Sequence, residues 1–215
     1  MRLMCFLLLA GICQANPMAN AWVQKVQERC DVRIGTKFAK VRCDITYQVW
    51  DEPTETLFLE VPIYLPDSVD LDEKKLEWRV NCELEMAGKT YRPYRVSKDT
   101  SAREVEWANC VKCTFLFRQP PSPKRFRVIV SYDQPMIGNR FYYLPQFEYG
   151  PFSVKFEDFM FYAALADIRG NLKLASENKY VTERNPGSIR MNILNQGLIA
   201  IELAGTKESK SAGRQ

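Results

Sequence analysis

The residues of this chain best suited to chemistry are its cysteines. Cys110-Val-Lys-Cys113 sets two cysteines three positions apart, the spacing of redox and metal-binding motifs. In a redox enzyme such a pair opens a helix, whose dipole lowers the thiol pKa. Here the pair leads instead into Cys113, Phe115 and Phe117, which alternate with Thr114 and Leu116 as a strand does. No second Cys-x-x-Cys is present to complete a four-thiolate site. Three readings follow: a bridge from one of the pair to Cys82, an exchangeable bridge within the pair, or a metal site borrowing two of Cys30, Cys43 and Cys82. Cys30 and Cys43 lie on the apolar faces of two strands that a turn around 35–38 would make neighbours. Opposed positions in such a hairpin come close enough for a bridge. The expectation is therefore a disulfide set drawn from Cys30, Cys43, Cys82, Cys110 and Cys113. Two bridges, Cys30–Cys43 and Cys82 to Cys110 or Cys113, would leave one thiol over.

Other catalytic material is sparse. The chain of 215 residues has no histidine, which removes His-based triads and imidazole zinc sites. Paired carboxylates remain, at Glu104 with Glu106 and at Glu157 with Asp158, and they support the alternative of a carbohydrate-active hydrolase. Acid-base work needs two carboxyls with separated pKa values across a cleft, and sequence neighbours more often form a solvated face. No glycine-rich phosphate loop and no Gly-x-Ser-x-Gly elbow occurs. No catalytic residue, metal ligand or cofactor is assigned. The run from Phe141 to Tyr162 is rich in aromatics. Its phenylalanines read as core, whereas Tyr149, beside Gly150-Pro151, and one of Tyr142 and Tyr143 suit a partner-binding surface, since tyrosine freezes only two χ angles on contact.

The elements that must position these residues read as strands. Val26, Glu28, Cys30, Val32 and Ile34 share one face; Val41, Cys43, Ile45, Tyr47 and Val49 share another. Leu57 to Leu65 forms a third strand, in which Pro62 argues for a sheet edge or a bulge. Leu76 to Met86 makes a fourth, and Ala87-Gly88-Lys89 turns the chain. Ser101-Ala-Arg-Glu104 matches a capping box and predicts one short helix over 102–109. Phe126, Val128, Val130 and Tyr132 make a further inward face. Residues 153–165 suit either strand or helix. Ile189 to Ile193 and Leu198 to Leu203 read as a closing hairpin. Many short strands with turns between them predict an all-β, mainly antiparallel β-sandwich.

Arg2 followed by Leu3 to Ala10 has the form of a secretory signal, with cleavage after Ala15 or Ala21. The expected organisation is a signal peptide over 1–21, one sandwich domain over 22–204 and a disordered tail over 205–215. The expected location is secreted or periplasmic. Apolar runs are too short for a membrane span. Lys and Arg number 30 against 26 Asp and Glu, well mixed, so there is no basic stripe of the kind nucleic acid requires.

Residues 31–132 resemble the VIT-type β-sandwich of exported proteins of the inter-alpha-trypsin-inhibitor kind. The likeness rests on the strand Ala39-Lys-Val-Arg-Cys-Asp-Ile-Thr-Tyr47, the Pro-containing strand Leu57 to Pro66, the Gly88-Lys-Thr-Tyr91 hairpin, a short helix with Ala102 and Trp107 before a Phe-rich strand, and the string Phe126 to Tyr132. It implies a sandwich with an adhesive or scaffolding role. The metal-binding Asp-x-Ser-x-Ser of that family's companion domain is absent here, and no site residue transfers. The sequence thus points to an exported, non-enzymatic binding module for a protein or cell-surface partner. The hydrolase and a thiol or metal protein built on Cys110 and Cys113 are its alternatives.

Overall fold

A computed structural model describes residues 23–49, 56–64, 80–99, 110–118, 124–143, 158–175, 181–192 and 199–207. The alternating segments at the N-terminal end form β1 (Val23–Ile34) and β2 (Phe38–Val49). Their turn closes with the Gly35 amide donating to the Phe38 carbonyl at 2.9 Å. A Cβ on Gly35 would lie 2.9 Å from that same oxygen, so the turn requires glycine. The chain continues as β3 (Leu57–Tyr64), β4 (Val80–Met86), β5 (Lys89–Tyr91), β6 (Arg95–Asp99), β7 (Cys110–Phe117), β8 (Arg125–Pro135) and β9 (Arg140–Tyr143). It ends with β10 (Asp158–Leu165), β11 (Arg169–Leu174), β12 (Val181–Asn185), β13 (Ser188–Met191) and β14 (Ile199–Lys207).

These strands build an eight-stranded sheet in the order β12-β13-β10-β1-β2-β8-β4-β5, with three-stranded sheets β11-β14-β9 and β3-β7-β6. All pairs are antiparallel except β1 with β10. Period-2 alternation sends Cys30, Val32, Val41, Ile45, Leu84, Val128 and Val130 to one face of the large sheet. They meet Leu57, Phe115 and Phe117 of one small sheet and Phe141, Ile201 and Leu203 of the other in a single hydrophobic cluster. The architecture is an all-β sandwich, stabilised by about 1.5–3 kcal/mol for each large apolar side chain fully withdrawn from water.

Several expectations change. Among the described residues there is no helix; the one expected over 102–109 lies outside them. The ambiguous stretch 153–165 resolves into a strand from Asp158, with Phe159, Phe161 and Ala163 inward. The expected closing hairpin does not form. β13 pairs with β10 and β12, whereas β14 pairs with β11 and β9, in a different sheet. Each strand has its own apolar face to bury, and the two sheets offer separate places to do so. β14 also runs to Lys207, past the boundary expected at 204. Pro62 does sit on an edge, since β3 ends its sheet and a missing N–H is tolerated there. Among the described residues no helix is long and apolar enough to cross a membrane.

Candidate functional site

Among the described residues two groups bear chemistry, one inside the sandwich and one on its outer face. The inner group begins with a bulge. β1 pairs with β2 in step from Ile34 back to Gln27, opposite Thr46; then the register slips, and Lys25 faces Tyr47. The extra residue, Val26, breaks the alternation and turns Lys25 and Glu28 to the same inner face, three positions apart. Lys25 Nζ lies 2.6 Å from Glu28 Oε2, and both side chains are 2% exposed. Cys30 and Cys43 face each other in register and form the expected disulfide. Tyr143 reaches in from β9. Its hydroxyl donates to Glu28 Oε1 and lies 2.8 Å from Cys30 Sγ and 3.3 Å from Cys43 Sγ. Burial, reinforced by the Glu28 charge, pushes the Tyr143 phenol well above its ordinary pKa, so it keeps the proton it donates.

The second expected bridge is corrected. Cys82 and Cys113 are buried thiols, not partners in a disulfide. Cys82 belongs to the large sheet and Cys113 to the small sheet β3-β7-β6. Burial, and secondarily Glu83, pushes the Cys82 thiol up, so it is a poor nucleophile. Cys110 and Cys113 both lie within β7. The side chain of Cys110 lies outside the described residues.

Tyr142 and Tyr143, of which one was expected outward, point to opposite faces of β9 as neighbours in a strand must. Tyr143 is 7% exposed and belongs to the core, so it does not present its ring to a partner. Tyr142 is half-buried on the opposite face, and its carbonyl accepts from Gln134 Nε2 at 2.7 Å. Tyr149 lies outside the described residues, as do Glu104, Glu106 and Glu157. Asp158 is held by Arg29 at 2.9 Å and by Gln27 at 3.2 Å. The hydrogen bond from Arg29 keeps its carboxyl below the ordinary range, the opposite of what a general acid needs.

The outer group is an open cleft of about 480 Å³ bordered by Thr46, Glu85, Lys89, Thr90, Arg125 and Arg127 with the Ala87-Gly88 turn. Thr46 pairs with Arg127 across β2 and β8, and Glu85 with Arg127 across β4 and β8, so the outward side chains of three adjacent strands converge. Arg127 donates from Nη1 to Glu85 at 2.9 Å and from Nε to Asp44 at 2.6 Å. The Asp44 hydrogen bonds raise its pKa further, so it is a permanent cation. Arg125 Nη2 is 3.3 Å from Gln48 Oε1. The two-residue turn adopts positive φ at Ala87 (48°) and Gly88 (75°), the type I′ geometry that matches hairpin twist, and it delivers Lys89 to the rim. The inward face read from Phe126 and Val128 leaves Arg125 and Arg127 outward, and the turn at Ala87-Gly88-Lys89 is equally legible in the sequence. The meeting of these residues depends on β8 lying between β2 and β4, which no local pattern encodes.

No protein-family model and no curated protein matches the chain. Among solved structures, 97 chains match, so the architecture is a recurrent one and does not specify function. One is the crystal structure of a Legionella pneumophila protein provisionally described as nutrient-binding. It aligns with a TM-score of 0.53 at 8% identity, over 88% of this chain and 69% of its own. At that identity the likeness is one of fold.

Proposed function

We propose that this chain is an exported, non-catalytic binding module whose outer cleft takes an oxyanion, a carboxylate, sulfate or phosphate group. The observation that carries the reading is the charge of the cleft: Lys89 and Arg125 line it beside Arg127, whose own charge Asp44 and Glu85 offset. Glu85 is already engaged by Arg127. The Thr46 and Thr90 hydroxyls add donors that suit oxygen ligands. The nutrient-binding description of the Legionella neighbour is compatible with a small free anion. The VIT-type likeness of residues 31–132 is compatible with an anionic group displayed by a protein or cell-surface partner. Export belongs to the same proposal, and N-terminal sequencing of the mature protein should find Asn16 or Trp22 first; a retained Met1 would remove it.

Calorimetric titration of the folded protein with inorganic phosphate, sulfate and small dicarboxylates tests the ligand class. At least one should bind, and Arg125→Ala or Lys89→Ala should weaken it about tenfold or more, since a charge-assisted hydrogen bond contributes about 1.5–3 kcal/mol. Binding that tolerates both substitutions, or no binding across the panel and to polyanionic surfaces alike, would defeat the reading.

A further inference from the structure

Among the described residues, the Cys30–Cys43 bridge is surrounded by a deeply buried polar group. A carboxylate oxygen of Glu28 and the two sulfurs lie within 4.8 Å of one another. Glu28 is 2% exposed, Cys30 0% and Cys43 3%. A tetrahedral zinc ion, with Zn–S of about 2.3 Å and Zn–O of about 2.0–2.2 Å, holds its ligand atoms roughly 3.5–3.8 Å apart. Once the S–S bond is open, modest side-chain rotation brings these three donors to that spacing, with the Tyr143 hydroxyl beside both sulfurs.

Charge selects the ion. With the bridge closed, the pocket holds the Lys25 ammonium and the Glu28 carboxylate, a neutral pair. Two thiolates would add two negative charges where no water can solvate them, at a cost of several kcal/mol for each. A divalent cation restores neutrality; a monovalent one leaves a net negative charge buried. Thiolate ligands favour a soft or borderline metal over magnesium or calcium.

We propose that the thiol form of this pocket is a buried divalent-metal site of the zinc class, ligated by Cys30, Cys43 and Glu28, so that metal and disulfide are mutually exclusive occupants. A dithiol opens the bridge: two electrons and two protons pass to the cysteine sulfurs, and the dithiol becomes its cyclic disulfide. Metal uptake then releases those two protons as the S–metal bonds form. Either occupant ties β1 to β2 at the same point, so the centre of the large sheet is cross-linked in both redox states.

The test compares the full chain in its oxidised form with the same chain reduced by a phosphine, using Co²⁺ as the probe. Thiolate-bound tetrahedral Co²⁺ is read from its charge-transfer and visible absorption. The reduced chain should take up one equivalent with both signatures. The oxidised chain, in which the Cys30–Cys43 bridge is closed, should show neither. Cys113→Ser should retain the signal and Cys43→Ser should lose it. Equal signals in both redox forms, or a signal that survives Cys43→Ser, would overturn the proposal. So would a reduced chain that keeps its strand circular dichroism yet binds no Co²⁺, or one that loses it and does not regain it with Co²⁺.

Discussion

Lys25→Met isolates the electrostatics of the pocket. In the native chain Lys25 Nζ is 2.6 Å from Glu28 Oε2, with both side chains 2% exposed. Removing the ammonium leaves a buried carboxylate held by the Tyr143 hydroxyl, and breaking one partner of such a pair costs about 3–5 kcal/mol. With a urea m-value of about 2 kcal/mol/M, the unfolding midpoint should fall by roughly 1.5–2.5 M. Lys25→Met with Glu28→Gln removes both charges and keeps an acceptor for Tyr143. That double variant should recover most of the loss, because neutral replacements of buried ion pairs are often near neutral in stability. Urea unfolding followed by tryptophan fluorescence, with the disulfide intact, measures both. If the double variant is as unstable as the single one, the cost is a packing cost and the ion-pair reasoning fails.

Cys30→Ala with Cys43→Ala opens a loop whose ends are 13 residues apart, and stability should drop by about 3 kcal/mol, the loop-entropy value for that length; an unchanged urea midpoint would refute it. Asp158→Asn should cost under about 1 kcal/mol at neutral pH, because its pair with Arg29 is half-exposed at 41% and 51%. The folded state depresses the Asp158 pKa, so the contribution is present above the unfolded carboxylate value and is lost as pH falls through the folded one; the gap between variant and parent should close in acid and stay constant from pH 6 to 8. Ala87 holds φ at 48°, a left-handed conformation that costs a non-glycine residue roughly 1 kcal/mol. Ala87→Gly should therefore raise the melting temperature by a few degrees, and a lower one would show that the turn does not depend on that strain.

Local chemistry carried much of this protein in its sequence. Alternation from Val41 to Val49, and from Phe126 to Tyr132, settled strand identity and inward face, because the pleat sends every second side chain to the same side whatever lies beyond it. The same alternation placed Glu28 among apolar neighbours, the one visible sign of a polar pocket, and paired Cys30 with Cys43 across a short turn. Tertiary structure decided the rest. Lys25 joined Glu28 only because β1 bulges against β2, and a bulge is a property of two strands in register rather than of either alone. β11 was not legible: of its six residues only Leu172 is fully buried, as suits the edge of a sheet. The parallel pairing of β1 with β10 joins residues such as Gln27 and Asp158, 131 positions apart. Tyr143 reached the disulfide, and Arg125 and Arg127 met Lys89, through contacts between strands that are distant in the chain. Sequence periodicity reports which way a side chain points from its own backbone; what it points at is set by the order in which the sheets assemble.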